Sequence, residues 1–232
     1  MPPKKESPKQ SLTDIINHNS ENLFHAARKG NITRIEKLLE KGNVDINWAC
    51  PEVKYYKETP LMAIINNNKK NEDVVKSTVQ YLIDNGANIN QRTAYGYTPL
   101  YYAVMRNSVS LVQLLLSNGA DPNITNNNKD TPLHTAIEKQ NQRIIDSLLI
   151  AGADADIIEN MYNRTARQHS MNYPHINVDT KTANTLKFIN VMKHKGALNR
   201  LDFASLDDFR DYSGGKTTKR RRTNKRKTNK KQ

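Results

Sequence analysis

The feature that most constrains this chain is an internal repeat with a period of 33 residues. The triplet Thr-Pro-Leu begins at Thr98 and again at Thr131, and a glycine follows a leucine-rich run at Gly86, Gly119 and Gly152. Self-similarity at such a period is typical of proteins built from stacked supersecondary units, because one unit cannot bury its own apolar face. We therefore expect an elongated array with a thin core, not one large globular core.

Each repeat carries the signals of two helices. A threonine followed by proline predicts a helix start, because the threonine caps the first turn and the missing proline N–H would be unpaired there anyway. In the second helix, apolar residues recur at i, i+3 and i+4, which predicts one buried face. These triads are Ile35, Leu38 and Leu39; Val79, Leu82 and Ile83; Val112, Leu115 and Leu116; and Ile145, Leu148 and Leu149. A glycine three residues after each triad favours a left-handed helix end.

These residues resemble the ankyrin repeat, whose pattern runs Thr-Pro-Leu-His, an alanine, a polar turn, a leucine pair and Gly-Ala-Asp. The fourth unit carries the match at Thr131, Pro132, Leu133, His134, Ala136, Leu148, Leu149, Gly152, Ala153 and Asp154. The third unit carries it at Thr98, Pro99, Leu100, Ala103, Leu115, Leu116, Gly119, Ala120, Asp121 and Asn123. The resemblance implies an all-α ankyrin-repeat solenoid of stacked antiparallel helix pairs with loop or β-hairpin fingers. It also implies that His134 forms hydrogen bonds within the stack.

The units depart from the pattern in three places. The loop from Gly42 to Thr59 is about five residues longer than its counterpart in the third unit, and we expect it to protrude. The turn near Asn66 is longer by six residues, and Pro174 falls where the fifth unit should have its first helix. That degenerate unit is interpreted as a C-terminal cap. The predicted divisions are an N-terminal flexible segment and cap (1–20), an ankyrin-repeat domain of about four repeats plus the cap repeat (21–197), a short helical extension (198–212) and a disordered basic tail (213–232).

The positive charge is concentrated at the C-terminus. The chain has a formal charge of +13, and residues 213–232 hold ten Lys and Arg and no acid, which leaves +3 for the rest. A like-charge block without apolar residues is expected to be disordered. Its clusters resemble a nuclear-import signal and would also attract nucleic acid without base specificity, while a purely solubilising tail is the third interpretation. The clusters comprise Lys219, Arg220, Arg221 and Arg222, and Lys225, Arg226 and Lys227.

Composition points to an intracellular protein. Cys50 is the single cysteine, so no intramolecular disulfide can form, and the N-terminus shows no signal-peptide pattern. The apolar runs are much shorter than the ~20 residues that span a bilayer. We expect the cytoplasm or the nucleus, with the tail favouring the nucleus, and no secretion or membrane contact. The Asn-, Lys- and Ile-rich composition with a basic tail also resembles ankyrin proteins of large DNA viruses.

Signatures of catalysis, cofactors and metal ions were sought in the sequence. The triplet that begins at Gly215 resembles the end of a phosphate-binding loop, but Arg210 stands where that loop needs a glycine. His169, His175 and His194 lack cysteine partners and the His-Glu-x-x-His spacing of zinc enzymes. We therefore expect no enzyme activity, no cofactor and no metal site.

The resemblance implies where a partner would bind. Ankyrin proteins usually contact partners through the loop tips and the inner face of each first helix. Transferred to this sequence, these positions are Arg28 and Lys29 in the first unit; Tyr55, Tyr56, Glu58, Asn66 and Asn67 in the second; Ala94, Tyr95, Tyr97, Met105 and Arg106 in the third; and Asn127, Asn128, Asp130, Glu138 and Lys139 in the fourth.

Tyrosine is a preferred interface anchor, because it buries a large area with few rotatable bonds. Binding is favoured for Tyr55 and Tyr56, whereas packing against the stack is an equal alternative for Tyr95 and Tyr97. The sequence thus predicts a monomeric, non-enzymatic adaptor for an unknown protein partner, with the tail directing location through an import receptor. The alternative is a nucleic-acid-associated protein that binds DNA or RNA non-specifically through the tail.

Overall fold

A computed structural model describes residues 11–67, 70–159 and 163–178. Within these residues the structure contains nine α-helices and no β-strand, with a 3-10 turn at Val53–Tyr55. The helices are α1 (Leu12–Arg28), α2 (Ile32–Lys41), α3 (Pro60–Ile65), α4 (Glu72–Asp84), α5 (Pro99–Met105), α6 (Val109–Ser117), α7 (Pro132–Glu138), α8 (Gln142–Ile150) and α9 (Ala166–Ser170).

The helices pack in two rows. Helices α1, α3, α5, α7 and α9 contact one another in sequence and form the first row, and α4, α6 and α8 contact one another in the second. Within each of the first four units the two helices also pack together, as in α1 with α2 and α5 with α6. This arrangement confirms the predicted all-α solenoid of helix pairs.

The first helices begin at the predicted threonines. The hydroxyl oxygens of Thr59, Thr98, Thr131 and Thr165 each accept a hydrogen bond from the backbone N–H three residues later. Proline occupies the first helical position in α3, α5 and α7. Because these signals are local, the sequence located the helix starts correctly.

The main apolar cluster of the described residues runs between the rows, and a smaller cluster surrounds Phe24. Leu100, Leu115 and Leu133 are fully buried, and each comes from a position that the repeat pattern marked as apolar. His134 has the structural role that the resemblance implied: its Nδ1 accepts from the Thr131 N–H at 3.2 Å and lies 2.8 Å from the Thr131 hydroxyl. Burial lowers the pKa of His134, so its neutral form is favoured.

The array begins earlier than predicted. Helix α1 starts at Leu12, so residues 12–20 belong to the helix and not to a flexible segment. Ser11 and Asp14 form a capping box, in which the Asp14 N–H donates to the Ser11 hydroxyl at 3.1 Å and the Ser11 N–H donates to the Asp14 carboxylate at 3.3 Å. The boundary at residue 20 was misplaced because the repeat register came from units whose first helix has only six or seven residues.

The inserted turn and the last unit agree more closely with the predictions from the sequence. Part of the insertion in the second unit lengthens α4 to 13 residues, compared with nine in α6 and in α8. Helix α9 has five residues and ends before Pro174, as expected for a degenerate unit. The predicted second half of that unit, the predicted extension 198–212 and the predicted tail 213–232 lie outside the described residues.

Candidate functional site

The loops between units close as fingers with one shared hydrogen bond. We name them the second, third, fourth and fifth fingers, after the unit that each precedes; they comprise residues 43–58, 87–97, 120–130, and 153–159 with 163–164. In each finger, a backbone N–H donates to the carbonyl of the residue just before the threonine that caps the next first helix. The pairs are Cys50 with Glu58 (2.9 Å), Thr93 with Tyr97 (3.0 Å), Asn126 with Asp130 (2.9 Å) and Glu159 with Arg164 (3.0 Å).

Backbone hydrogen bonds also join one fingertip to the next. The Ala94 N–H donates to the Tyr56 carbonyl at 2.8 Å, and the Asn127 N–H donates to the Tyr95 carbonyl at 3.0 Å. The Asn127 side-chain amide donates to the Ala94 carbonyl at 2.9 Å. Three consecutive fingertips are therefore held in a row with fixed spacing, although they belong to different repeats.

Two tyrosines project from this row. Tyr56 is 43% exposed and Tyr95 is 49% exposed, and their ring centroids lie 4.7 Å apart. Tyr97 is half-buried and stacks on Tyr101 at 4.6 Å, so for this residue packing is the better interpretation. We call the Tyr56 and Tyr95 pair the tyrosine platform.

Tyr55 lies in the core, so the expectation that it occupies a protruding tip was wrong. It is 8% exposed and its ring contacts Phe24 edge-on, with centroids 4.9 Å apart. Cys50 and Trp48 belong to the same apolar cluster, and Arg28 donates to the Tyr55 hydroxyl at 2.9 Å. The long loop carries enough apolar surface to fold back on α1, and this burial outweighs exposure at a tip.

Glu58 was also expected at the surface and is buried. Only 4% of the residue is exposed, and its Oε1 accepts from the Asn66 amide at 2.7 Å. Burial raises the pKa of the Glu58 carboxyl, while hydrogen bonds from Tyr102 and Asn66 act in the opposite direction. Glu58 therefore ties the second finger to α3 and α5 and is not available to a partner.

Arg106 and Asn67 brace the inserted turn. The Arg106 guanidinium donates to the carbonyls of Ile65 (3.2 Å), Asn67 (2.8 Å) and Lys70 (3.2 Å), which satisfies carbonyls at and beyond the end of α3. The Asn67 amide donates to the Arg28 carbonyl at 2.7 Å. These two side chains are committed to structure, so they are weak candidates for partner contact.

The remaining predicted positions lie mostly at the surface. Asp130 is half-buried and accepts from the Asn126 amide at 3.0 Å. Met105, at the end of α5, is 45% exposed. The other exposed positions are Arg28, Lys29, Asn66, Ala94, Asn127, Asn128, Glu138 and Lys139.

Sequence reasoning missed several tip residues. Val53, the first residue of the 3-10 turn, is 85% exposed. Four cations lie on the same fingertips, and nothing in the family pattern marks them: Lys54, Lys57, Arg92 and Lys129. These cations could have been found in the sequence by counting the charges of each fingertip alone, without the rest of the finger.

Comparison with known proteins decides the family. The family model described as Ankyrin repeats (3 copies) matches residues 23–126, 73–160 and 106–178, which together are well over half of the chain. The chain belongs to the ankyrin-repeat family. Ankyrin repeats are generally non-enzymatic protein–protein interaction modules. This agrees with the predicted class of protein-binding scaffold.

Three relatives share part of this ankyrin array. Arf-GAP with coiled-coil, ANK repeat and PH domain-containing protein 2, from Homo sapiens and from Oryctolagus cuniculus, is 32% identical over 83 residues, which is 36% of this chain and 10% of each relative. An ankyrin repeat protein of Rickettsia bellii is 29% identical over 121 residues, which is 44% of this chain and 47% of the relative. None of these three proteins is viral. The chain spans at most about half the length of these relatives.

One group of possible metal ligands accompanies the ankyrin array. Ligand atoms of Glu21, His25 and Glu52 lie within 4.8 Å of one another, and this is the one such group among the described residues. The Lys54 ammonium lies 2.7 Å from the Glu52 carboxylate and competes for it. We interpret the group as exposed ion pairing.

In the described part of the ankyrin chain, no helix has the length and apolar character needed to cross a membrane.

Proposed function

We propose that this ankyrin-repeat chain is a monomeric, non-enzymatic adaptor that binds a protein partner through its fingertips and the exposed ends of its first-row helices. The observation that carries the proposal is the tyrosine platform, because Tyr56 and Tyr95 expose large aromatic area in the centre of a row of fingers. Exposed aromatic rings of this kind typically become the energetically dominant anchors of an interface.

Pre-organisation supports the same proposal. The backbone bonds that tie Tyr56 to Ala94 and Tyr95 to Asn127 fix the main chain that carries the two rings before any partner arrives. Binding then costs little conformational entropy, because the fingertips need no ordering. Met105, the last residue of α5, adds an exposed apolar side chain at the end of a first-row helix.

Removal of the platform is expected to weaken the complex. The double substitution Tyr56→Ala with Tyr95→Ala should reduce partner affinity by more than about 1 kcal/mol, or roughly fivefold, because two anchors are lost. Partners would be captured with the full-length chain as bait, and affinities measured for the parent and the variant with one purified partner. Far-UV circular dichroism should show unchanged helix content.

The matched control removes apolar side chains of similar exposure elsewhere. Leu12 is 62% exposed and Met171 is 74% exposed, and both lie away from the second, third and fourth fingers. The double substitution Leu12→Ala with Met171→Ala should leave affinity unchanged. Equal affinities for both double variants would place the interface on another surface and refute the proposal.

We also propose that residues 213–232 direct the protein to the nucleus as an import signal. Ten positive charges within this segment create a dense local potential, whereas the rest of the chain carries a net +3. The same charges support the alternative, in which the tail binds nucleic acid regardless of sequence. A tail of this kind lacks aromatic residues for base stacking.

Transfer of the tail to an inert fluorescent reporter tests the import proposal, and we expect the reporter to accumulate in the nucleus. Full-length chain and a version ending at Tyr212 would be compared for duplex DNA binding, with an expected log–log salt slope of about −5 to −9 for the full chain if six to ten phosphates are neutralised. An evenly distributed reporter, together with a truncated protein that locates normally, would contradict the import role.

A further inference from the structure

The tips of the second, third and fourth fingers carry a net positive charge that is not apparent from the composition of the whole fingers. The tips, taken as residues 52–57, 92–96 and 127–129, contain four cations: Lys54, Lys57, Arg92 and Lys129. Glu52 is the one carboxylate within these tips, and the Lys54 ammonium pairs with it at 2.7 Å. The tips therefore present a net charge of +3 around the tyrosine platform.

Carboxylates at the base of the fingers do not offset this charge well. Glu58 is buried and hydrogen-bonded, and its raised pKa favours the neutral form more than at an exposed site. Asp130 is half-buried and accepts from the Asn126 amide, which also donates to the Tyr101 hydroxyl on α5. These two carboxylates are withdrawn into the fold, while the cations remain at the tips. The exposed carboxylates of Asp45 and Asp121 lie outside the tips, and each accepts a hydrogen bond from the backbone N–H two residues later.

The Arg92 guanidinium is also held at the fingertips. Its Nε donates to the Gly96 carbonyl and its Nη2 donates to the Asn127 side-chain oxygen, both at 3.4 Å. These two weak bonds hold the guanidinium between the third and fourth fingertips. They use two of its five N–H donors, and the others remain for a bidentate carboxylate contact.

Apolar area lies among these cations. Val53 is 85% exposed, and Tyr56 and Tyr95 are each close to half exposed. A partner that covers this surface must offer apolar side chains for the valine and the rings, and carboxylates for the surrounding ammonium and guanidinium groups.

We propose that the fingertips bind an acidic protein segment that carries interspersed aliphatic or aromatic anchors. This inference rests on the proposed function, because it names the chemical class of the partner for the same surface. The segment lies across the second, third and fourth fingertips, with its apolar residues on Val53 and the tyrosine platform and its carboxylates near Lys57, Arg92 and Lys129.

Nucleic acid fits the surface less well. The Tyr56 and Tyr95 rings are tilted by 51° with centroids 4.7 Å apart, so they already contact each other and a base cannot insert between them. Phosphates would neutralise the cations but would leave the Val53 side chain uncovered. An acidic, partly apolar protein segment satisfies both features at once.

The experiment compares charge reversal at the tips with a matched reversal elsewhere. Lys57→Glu with Lys129→Glu changes two exposed tip cations, and Arg34→Glu with Lys37→Glu makes the same change of charge on exposed positions of α2. Lys57 and Lys129 have φ values of +64° and +62°, and glutamate suffers the same backbone strain there as lysine. All proteins are full length, with the seven clustered tail cations replaced by glutamine to remove competing polyanion binding.

Fluorescence anisotropy would measure binding of labelled peptides built from repeated Glu-Glu-Leu, Glu-Glu-Ser or Lys-Lys-Leu triplets, and of oligo(dT). We expect the Glu-Glu-Leu peptide to bind most tightly. Tip reversal should weaken this binding about tenfold, because two attractions become repulsions, whereas reversal on α2 should change it less than about twofold. Tyr56→Ala with Tyr95→Ala should weaken it as well.

Equal effects of the two charge reversals, or equal binding of the Glu-Glu-Leu and Lys-Lys-Leu peptides, would overturn the inference. Tighter binding of oligo(dT), lost on tip reversal, would overturn it in favour of nucleic acid. The proposed function has a separate test in the captured partner. If that partner loses affinity with the tyrosine substitutions but not with tip reversal, the adaptor function stands and the acidic class of partner is wrong.

Discussion

Leu115→Ala is expected to lower the free energy of unfolding by about 2–5 kcal/mol, because a fully buried leucine is truncated in a core that cannot collapse around the space. Leu115 is 0% exposed and comes from the second apolar position of the α6 triad. In a stacked array each unit is stabilised mainly by its neighbours, so a cavity in the third unit also weakens the second and fourth. Chemical denaturation followed by circular dichroism measures the change.

Leu114 supplies a control on the same helix. It is half-buried, so Leu114→Ala removes the same atoms but leaves a smaller cavity and should cost clearly less. The two variants share helix propensity and position within α6, and the difference between them therefore reports burial. An unchanged denaturation midpoint for Leu115→Ala would show that the assigned register of α6 is wrong.

Gly96→Ala is expected to destabilise the protein by about 2–4 kcal/mol, from backbone strain combined with a steric clash. Gly96 has a φ of +81°, a conformation that residues with a Cβ rarely adopt. An added Cβ would lie 2.9 Å from the Asn127 backbone nitrogen and 2.6 Å from the Arg92 guanidinium. The contact between the third and fourth fingertips would have to open.

Gly119 separates the two causes. Its φ is +88°, and an added Cβ would meet nothing within 4 Å, so Gly119→Ala carries the strain without the clash and should cost about 1 kcal/mol. The excess cost of Gly96→Ala measures the junction between the fingertips. Amide hydrogen exchange at Asn127 should increase in that variant, because its N–H bond to Tyr95 is displaced. Equal costs for the two substitutions would mean that the fingertips are not coupled.

The partner-binding residues were predicted from the family pattern, and the structure sorts them by environment. Tyr56 and Tyr95 are exposed, whereas Tyr55 and Glu58 are buried and Arg106 is committed to three backbone carbonyls. Pattern transfer identifies the loop but not the side chain within the loop that faces solvent. That choice depends on the exact backbone path of each finger.

The sequence by itself determined the helix pairs, the threonine starts at Thr98 and Thr131, and the buried triads, because caps and apolar periodicity act within one or two helical turns. The repeat register did not mark the start of α1 at Leu12, because none of the other described units has a first helix of that length. The local capping-box pair of Ser11 and Asp14 does mark it.

Only the tertiary structure decided which surface is offered to a partner. Tyr55 and Tyr56 are neighbours of the same residue type, yet Tyr55 packs on Phe24, 31 positions earlier, while Tyr56 turns outward through a φ of +49° and contacts Tyr95 in the next finger. These contacts join parts of the chain from different units, and their strength depends on area buried between the units. Local sequence signals do not specify which residues of different units meet. The position of the tyrosine platform therefore follows from the packing of one unit against the next.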